Sequence, residues 1–193
     1  MNNRLGIAEK FQKSAKELSS PVALAVCAML LAVSVVLGYF ANISITFLGT
    51  NLIKIGFTAI PIALAAMLYG PVPAAIIGAL TDILCFIIAP MGPYMPGFTI
   101  SMIVTGVIFG IAYYGEKPSL TRVIISNLIN SLLVGIVLGT LWFVLFYNYQ
   151  VVVALSTRGL KELVMFPINV ALIFGALKAA ERVPEIKKIR NES

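Results

Sequence analysis

Asp82 stands in the apolar stretch Gly78-Ala79-Leu80-Thr81-Asp82, where an ionised carboxylate is costly unless a partner or a wet cavity receives it. Two uses follow from that position. The acid can accept hydrogen bonds from an amino-substituted heterocycle, or it can cap nearby backbone and pair with Lys54. Lys54, Arg158 and Lys161 form a small set of cations suited to an anionic solute. Arg158 offers a planar fork that grips a carboxylate with two bonds, whereas the lysines supply mobile point charges. Snorkelling to lipid headgroups would employ the same three side chains without any ligand. Tyr39, Asn42, Asn51, Phe57, Tyr94, Phe98, Trp142, Tyr147 and Asn148 gather toward the same side. Stacking plus a few amide bonds suits a flat heterocycle, and an interfacial aromatic belt accounts for much of the same pattern. Asn127 and Asn130 lie deeper, where they either bond across a bundle or line a cavity.

The elements that must position these groups are apolar helices. Of 193 residues, 60% are hydrophobic and 11% charged, against about 25% charged in an ordinary soluble domain. Too little polar surface remains to cover a water-exposed globule. Apolar blocks predict helices over Pro21 to Phe40, Leu52 to Tyr69, Pro73 to Ile88, Phe98 to Tyr114, Leu120 to Tyr147 and Gly159 to Ala180. No alternation suggests strands, so the expected fold is an all-α integral membrane bundle of six transmembrane helices. Six crossings place both termini on one side. The leader, the turn holding Lys117 and Arg122, and the C-terminal stretch from Lys178 onward together carry eleven of the fourteen Lys and Arg residues, which makes that side cytoplasmic. The expected organisation is one membrane domain over residues 1–193: a retained amphipathic cytoplasmic leader at 1–19, a core at 20–180 and a cytoplasmic tail at 181–193.

The net charge of +6 fits an anionic leaflet better than nucleic acid, because the basic residues are neither on one amphipathic face nor interleaved with aromatics. Cys27 and Cys85 sit in apolar stretches without metal-ligand spacing, and the chain has no histidine; free thiols and no metal site are expected. No Walker motif, phosphate loop or second buried acid accompanies Asp82, which disfavours an enzyme. Small residues recur at Ala25, Ala28 and Ala32, around Gly78, and as Gly106 and Gly110. Such stripes allow close helix approach, either inside the bundle or against a separate membrane partner.

Three segments carry a family resemblance: Lys54 to Pro71, Gly78 to Ile83, and Gly92-Pro93-Tyr94-Met95-Pro96-Gly97-Phe98-Thr99 followed by Thr105-Gly106. Over residues 20–180 the chain resembles the substrate-binding S components of energy-coupling factor (ECF) vitamin transporters, most closely the folate-specific subgroup. Asn130, Thr140 to Trp142 and Met165 to Ile168 agree with that subgroup. The resemblance implies a six-helix subunit that captures a vitamin outside and associates with a transmembrane coupling subunit and two cytoplasmic ATPases. It hydrolyses nothing itself and needs no cofactor, folate being the transported ligand. It implies that Ala25, Ala28 and Ala32 face the coupling subunit, and that the first and third connections close the pocket as lids, with Asn42 and Asn51 in one and Pro93 and Pro96 in the other. The expected ligand contacts are Lys54, Phe57, Asp82, Tyr94, Phe98, Asn127, Asn130, Trp142, Arg158 and Lys161. Another water-soluble vitamin on the same scaffold is the alternative, and a membrane assembly subunit a more distant one.

Overall fold

Prolines open three of the long helices. Pro21, Pro71 and Pro96 each occupy a first helical position, where a missing N–H costs nothing and the fixed φ already matches the helix. A computed structural model describes residues 6–40, 43–47, 50–55, 57–90, 94–147, 150–184 and 186. In chain order it contains helix α1 (Ile7–Glu17), helix α2 (Pro21–Phe40), strands β1 (Ile43–Phe47) and β2 (Thr50–Ile55), and helices α3 (Ala59–Tyr69), α4 (Pro71–Ile88) and α5 (Pro96–Tyr113). Helix α6 (Leu120–Asn130) continues through a π-helical segment, Ser131–Leu138, into α7 (Gly139–Tyr147), and α8 (Val151–Arg182) closes the bundle.

Among the described residues, five stretches are long and apolar enough to cross a membrane: Pro21–Tyr39, Pro71–Ile88, Pro96–Tyr113, Leu120–Phe146 and Val151–Arg182. The protein is therefore an all-α multi-pass membrane bundle. Its exterior agrees, since Val22, Met29, Ile87, Leu132, Val152 and Leu163 are exposed while Thr105, Ser126 and Asn127 are buried and hydrogen-bonded. Apolar outside with hydrogen-bonded polar groups inside is the arrangement lipid favours.

Helix α3 lies at the centre. It is buried from Pro61 to Tyr69 on all but one position and packs against α2, α4, α5 and α8. Being covered on every side, it is apolar on every side. At 11 residues it spans only about 17 Å, short of the ~30 Å hydrocarbon core.

The structure corrects the expectation of a helix from Leu52. Strands β1 and β2 pair antiparallel, Ile43 with Ile55, Ser44 with Lys54 and Ile45 with Ile53, with an irregularity between Ile45 and Phe47. The strand segments are rich in isoleucine and threonine, residues that suit extended backbone. Pro61 consequently falls in the first turn of α3 and interrupts nothing. Helix α8 also begins earlier than expected and carries Pro167 within it.

Close approach of α4 and α5 rests on glycine. A Cβ on Gly78 would come within 2.6 Å of the Met102 carbonyl oxygen, one on Gly106 within 2.5 Å of the Ala74 backbone, and one on Gly110 would overlap the backbone of Pro71. The Gly78 and Gly106–Gly110 stripes are thus internal packing surfaces. The alanines of α2 differ: Ala25, Ala28 and Ala32 are all exposed.

The leader docks by its polar side. Lys10 and Ser14 are its buried residues. Ser14 Oγ donates to the Tyr69 carbonyl at 2.7 Å and accepts from the Val72 N–H at 3.0 Å, spanning the corner between α3 and α4. Gly70 makes that corner with φ +85°, and any Cβ there would meet Ser14 Oγ at 2.7 Å. Replacing Ser14 with alanine is expected to cost ~1–3 kcal/mol, because a buried N–H and carbonyl both lose their partner. Thermal unfolding in detergent checks this, and an unchanged midpoint would mean that the leader contributes nothing to the fold.

Candidate functional site

One end of the bundle collects most of the chemistry anticipated from sequence. The second half of α4 brings Asp82 and Phe86, the start of α5 brings Gly97 to Ser101, α7 brings Trp142 and Phe143, and the early part of α8 brings Arg158 and Glu162.

Its polar core is a relay of short hydrogen bonds. Thr99 Oγ1 donates to Asp82 Oδ2 at 2.6 Å, which commits the threonine proton. Tyr94 must then donate its hydroxyl proton to Thr99 Oγ1, also at 2.6 Å. Tyr94 is further held by its ring against Phe86, with centroids 5.1 Å apart. The carboxylate is oriented through Oδ2, and Lys54 is not needed to explain its position.

Aromatic rings flank this relay. Trp142 donates its indole N–H to Ser101 Oγ at 3.0 Å, and its ring lies over Gly97, where a Cβ would overlap it. Phe98 meets Phe143 edge to face at 6.3 Å. The Arg158 guanidinium carbon sits 4.1 Å from the centroid of Phe143. Arg158 therefore folds onto the bundle. With its face held by the ring, a guanidinium still directs its N–H donors outward in the plane, the edge that grips a carboxylate.

The π-helical segment explains how charged residues of α8 fit. Each π turn admits one more residue than an α turn, and such segments recur at functional sites. Gly135 leaves room for the Glu162 carboxyl, and Gly139 faces the Arg158 guanidinium at 3.4 Å from a would-be Cβ. Glu162 is half-buried within the last long apolar helix, so Asp82 is not the sole acid in the membrane region. Reading the block as starting at Gly159 put Glu162 at its edge; the helix actually begins at Val151.

Of the other anticipated residues, the two asparagines bond within the bundle. Asn127 is buried and donates through Nδ2 to the Val123 carbonyl of its own helix at 2.9 Å, so its amide serves α6. Asn130 meets Thr105 Oγ1 at 2.9 Å, while the same hydroxyl lies 3.0 Å from the Ser101 carbonyl. One proton cannot serve both acceptors; turning the Asn130 amide so that its NH₂ donates to Thr105 resolves the conflict. Phe57 is half-buried in the turn before α3, its carbonyl accepting from the Ile60 N–H. Lys161 is half-buried one turn beyond Arg158, and Pro96 is exposed at the start of α5. Lys54 and Asn51 lie on β2 with side chains outside what is described, and Asn42 and Pro93 fall outside the described residues. Thr99, Ser101, Phe143 and Glu162 complete the cluster. A signal for Thr99 existed in the motif Gly97-Phe98-Thr99; the others carried none.

Comparison with known proteins decides the family. Residues 22–180 match the family model described as "ECF transporter, substrate-specific component". The chain belongs to this family. The S component is 40% identical over 140 residues to a protein of Clostridium novyi (strain NT) named folate transporter FolT, covering 72% of this chain and 81% of that one. A second protein of that name, from Leuconostoc mesenteroides subsp. mesenteroides, is 29% identical over 153 residues, 76% of this chain and 80% of the relative. Among solved structures, the crystal structure of FolT bound with folic acid superposes with a TM-score of 0.71 at 33% identity, covering 80% of this chain and 93% of that one. As an S component the protein recognises a substrate in a bacterial cell membrane and is not an enzyme.

Proposed function

We propose that this S component captures folate at the end of the bundle formed by Asp82, Thr99, Tyr94, Trp142, Phe143 and Arg158, and passes it inward in association with a coupling subunit and two ATPases. The observation that carries the folate assignment is the likeness to FolT, which includes a structure bound with folic acid. The geometry is compatible in kind. A pterin is flat and rich in N–H donors, matching an oriented carboxylate among aromatic rings, whereas the glutamate tail is anionic and suits the Arg158 edge. Tyr94 and Pro96 border the third connection, which we read as a stiff lid.

We further read α3, with the hairpin preceding it, as the second of six crossings. Short non-helical backbone is tolerated at membrane depth when hydrogen-bonded and enclosed by protein. Both termini then share the cytoplasmic side, with the leader and tail as flanks of the core.

The exposed Ala25, Ala28 and Ala32 suit a close helix partner in lipid. Ala28→Trp is expected to change folate binding by no more than about twofold, as for other exposed substitutions, while abolishing co-purification of the coupling subunit. Equal loss of both would assign the stripe to folding.

The test of the assignment is equilibrium binding of folate to the purified chain in detergent, with thiamine, riboflavin and pantothenate as competitors. Saturable folate binding that none of them displaces is the expected result. Exclusive binding of another vitamin would overturn folate and keep the scaffold; no binding by folded protein would overturn solute capture.

A further inference from the structure

A groove of about 570 Å³ lies between α5 and α6, where Lys10 of α1 reaches in, at the far end of α5 from Thr99. Thr99 and Ile111 are twelve residues apart on one helix, or roughly 18 Å along its axis, so the groove is distinct from the vitamin site. Its walls are Ile108, Ile111, Ile125 and Ile129, on the membrane-crossing helices, and its rim carries Lys10 and Arg122. Ile125 and Ile129 are exposed, so the groove opens sideways toward lipid.

Lys10 is the unusual member. Only 6% of it is exposed, and of its three ammonium protons the described hydrogen bonds use one, to the Ile111 carbonyl at 2.8 Å. Among the described residues no carboxylate comes within ion-pair distance of it. The nearby Glu116 carboxylate is taken by Arg122 at 2.8 Å. Arg122 is additionally fixed by a 2.7 Å bond to the Lys117 carbonyl. Burial pushes the Lys10 ammonium below its ordinary pKa; Glu116 partly opposes this and Arg122 adds to it, so the two cations feel one another's charge. Two cations and a single carboxylate, paired with Arg122, stand above an apolar trough that faces the bilayer. A buried ammonium with spare protons needs an anion.

We propose that this groove is a binding site for an anionic phospholipid, its phosphate received by Lys10 and Arg122 and its acyl chain lying between α5 and α6. The combination follows from where the pieces stand. Basic pockets between transmembrane helices bind lipid phosphates, and the isoleucine floor begins where an acyl chain would leave the headgroup. A water-soluble anion would have no use for that floor. The leader helix, docked through Ser14, is what carries Lys10 over the groove. The site thereby joins the leader to the membrane, and it does not depend on which vitamin the protein carries.

Native mass spectrometry of the purified full chain tests this, with equal phosphatidylglycerol and phosphatidylcholine supplied in the micelle. Preferential retention of phosphatidylglycerol is expected, falling about fivefold for each cation removed in Lys10→Gln and Arg122→Gln. Lys13→Gln, an exposed lysine of the same helix, should leave retention unchanged. Because Lys10→Gln can also weaken leader docking, Ile125→Trp provides a second probe: it blocks the trough from an exposed position without touching charge, and should lower retention of phosphatidylglycerol. Equal retention of the two lipids would overturn the proposal, as would a loss in Lys13→Gln matching that in Lys10→Gln. Displacement of the lipid by millimolar glycerol 3-phosphate would also overturn it, since the site would then be one for small free phosphates.

Discussion

Gly110→Val is expected to leave almost no folded protein in detergent. The absent side chain of Gly110 faces the backbone of Pro71, and a backbone cannot rotate aside as a flexible side chain can. Overpacking a core ordinarily costs ~1–3 kcal/mol, and here two further close approaches on the same interface, at Gly78 and Gly106, prevent the helices from separating locally. Pro71 is also the first residue of α4, directly after the Gly70 corner that Ser14 seals. Moving it would disturb the central α3 and the leader together. The measurement is the yield of monodisperse protein and its thermal midpoint, beside Gly175→Val. Gly175 has nothing within 4 Å of a would-be Cβ, so its variant should be much less affected. Comparable behaviour of the two variants would show that the α4–α5 seam is looser than described.

Asp82→Asn is expected to weaken folate binding by roughly 10- to 150-fold, the equivalent of ~1.5–3 kcal/mol for hydrogen bonds to a charged acceptor. The substitution is chosen to separate recognition from folding. An asparagine oxygen can still accept from Thr99, so the relay from Tyr94 survives in the variant. The variant loses the negative charge and one acceptor oxygen, which are what a donor-rich heterocycle would read. Binding titration and thermal unfolding should be run on the same preparation. A large rise in Kd with a midpoint within a few degrees of the parent supports Asp82 as a ligand contact. Unchanged affinity would remove it from the site, and a parallel fall in stability would assign it to the bundle.

Membrane class and the long apolar spans were legible from residue type, as were the chemical groups of Asp82, Tyr94, Trp142 and Arg158 that one end of the bundle brings together. These depend on transfer free energy and chemical identity, which each residue carries wherever the chain puts it. The motif Gly92 to Thr99 also carried the family resemblance, and comparison with known proteins agrees with it.

Other features required the tertiary arrangement. The sequence puts Leu52 to Ile55 at the start of an apolar helix, but a short apolar run has no decisive period, and pairing with Ile43 to Phe47 makes it a strand. The leader is amphipathic as expected, but only the tertiary structure shows that its polar Lys10 and Ser14 turn toward the bundle, where they bond the Ile111 and Tyr69 carbonyls. Asn127 and Asn130 share a helix, yet one bonds its own backbone and the other reaches Thr105 on α5. The Trp142 to Ser101 bond joins residues 41 positions apart. The π-helical segment and the seating of Glu162 at Gly135 depend on how α8 packs against its neighbour. The amino-acid sequence by itself determined the solvent this protein needs and the chemical groups it can offer. The tertiary structure decided which groups meet, because helix rotation and close approach are set by contacts between distant segments and leave no periodic trace within any one of them.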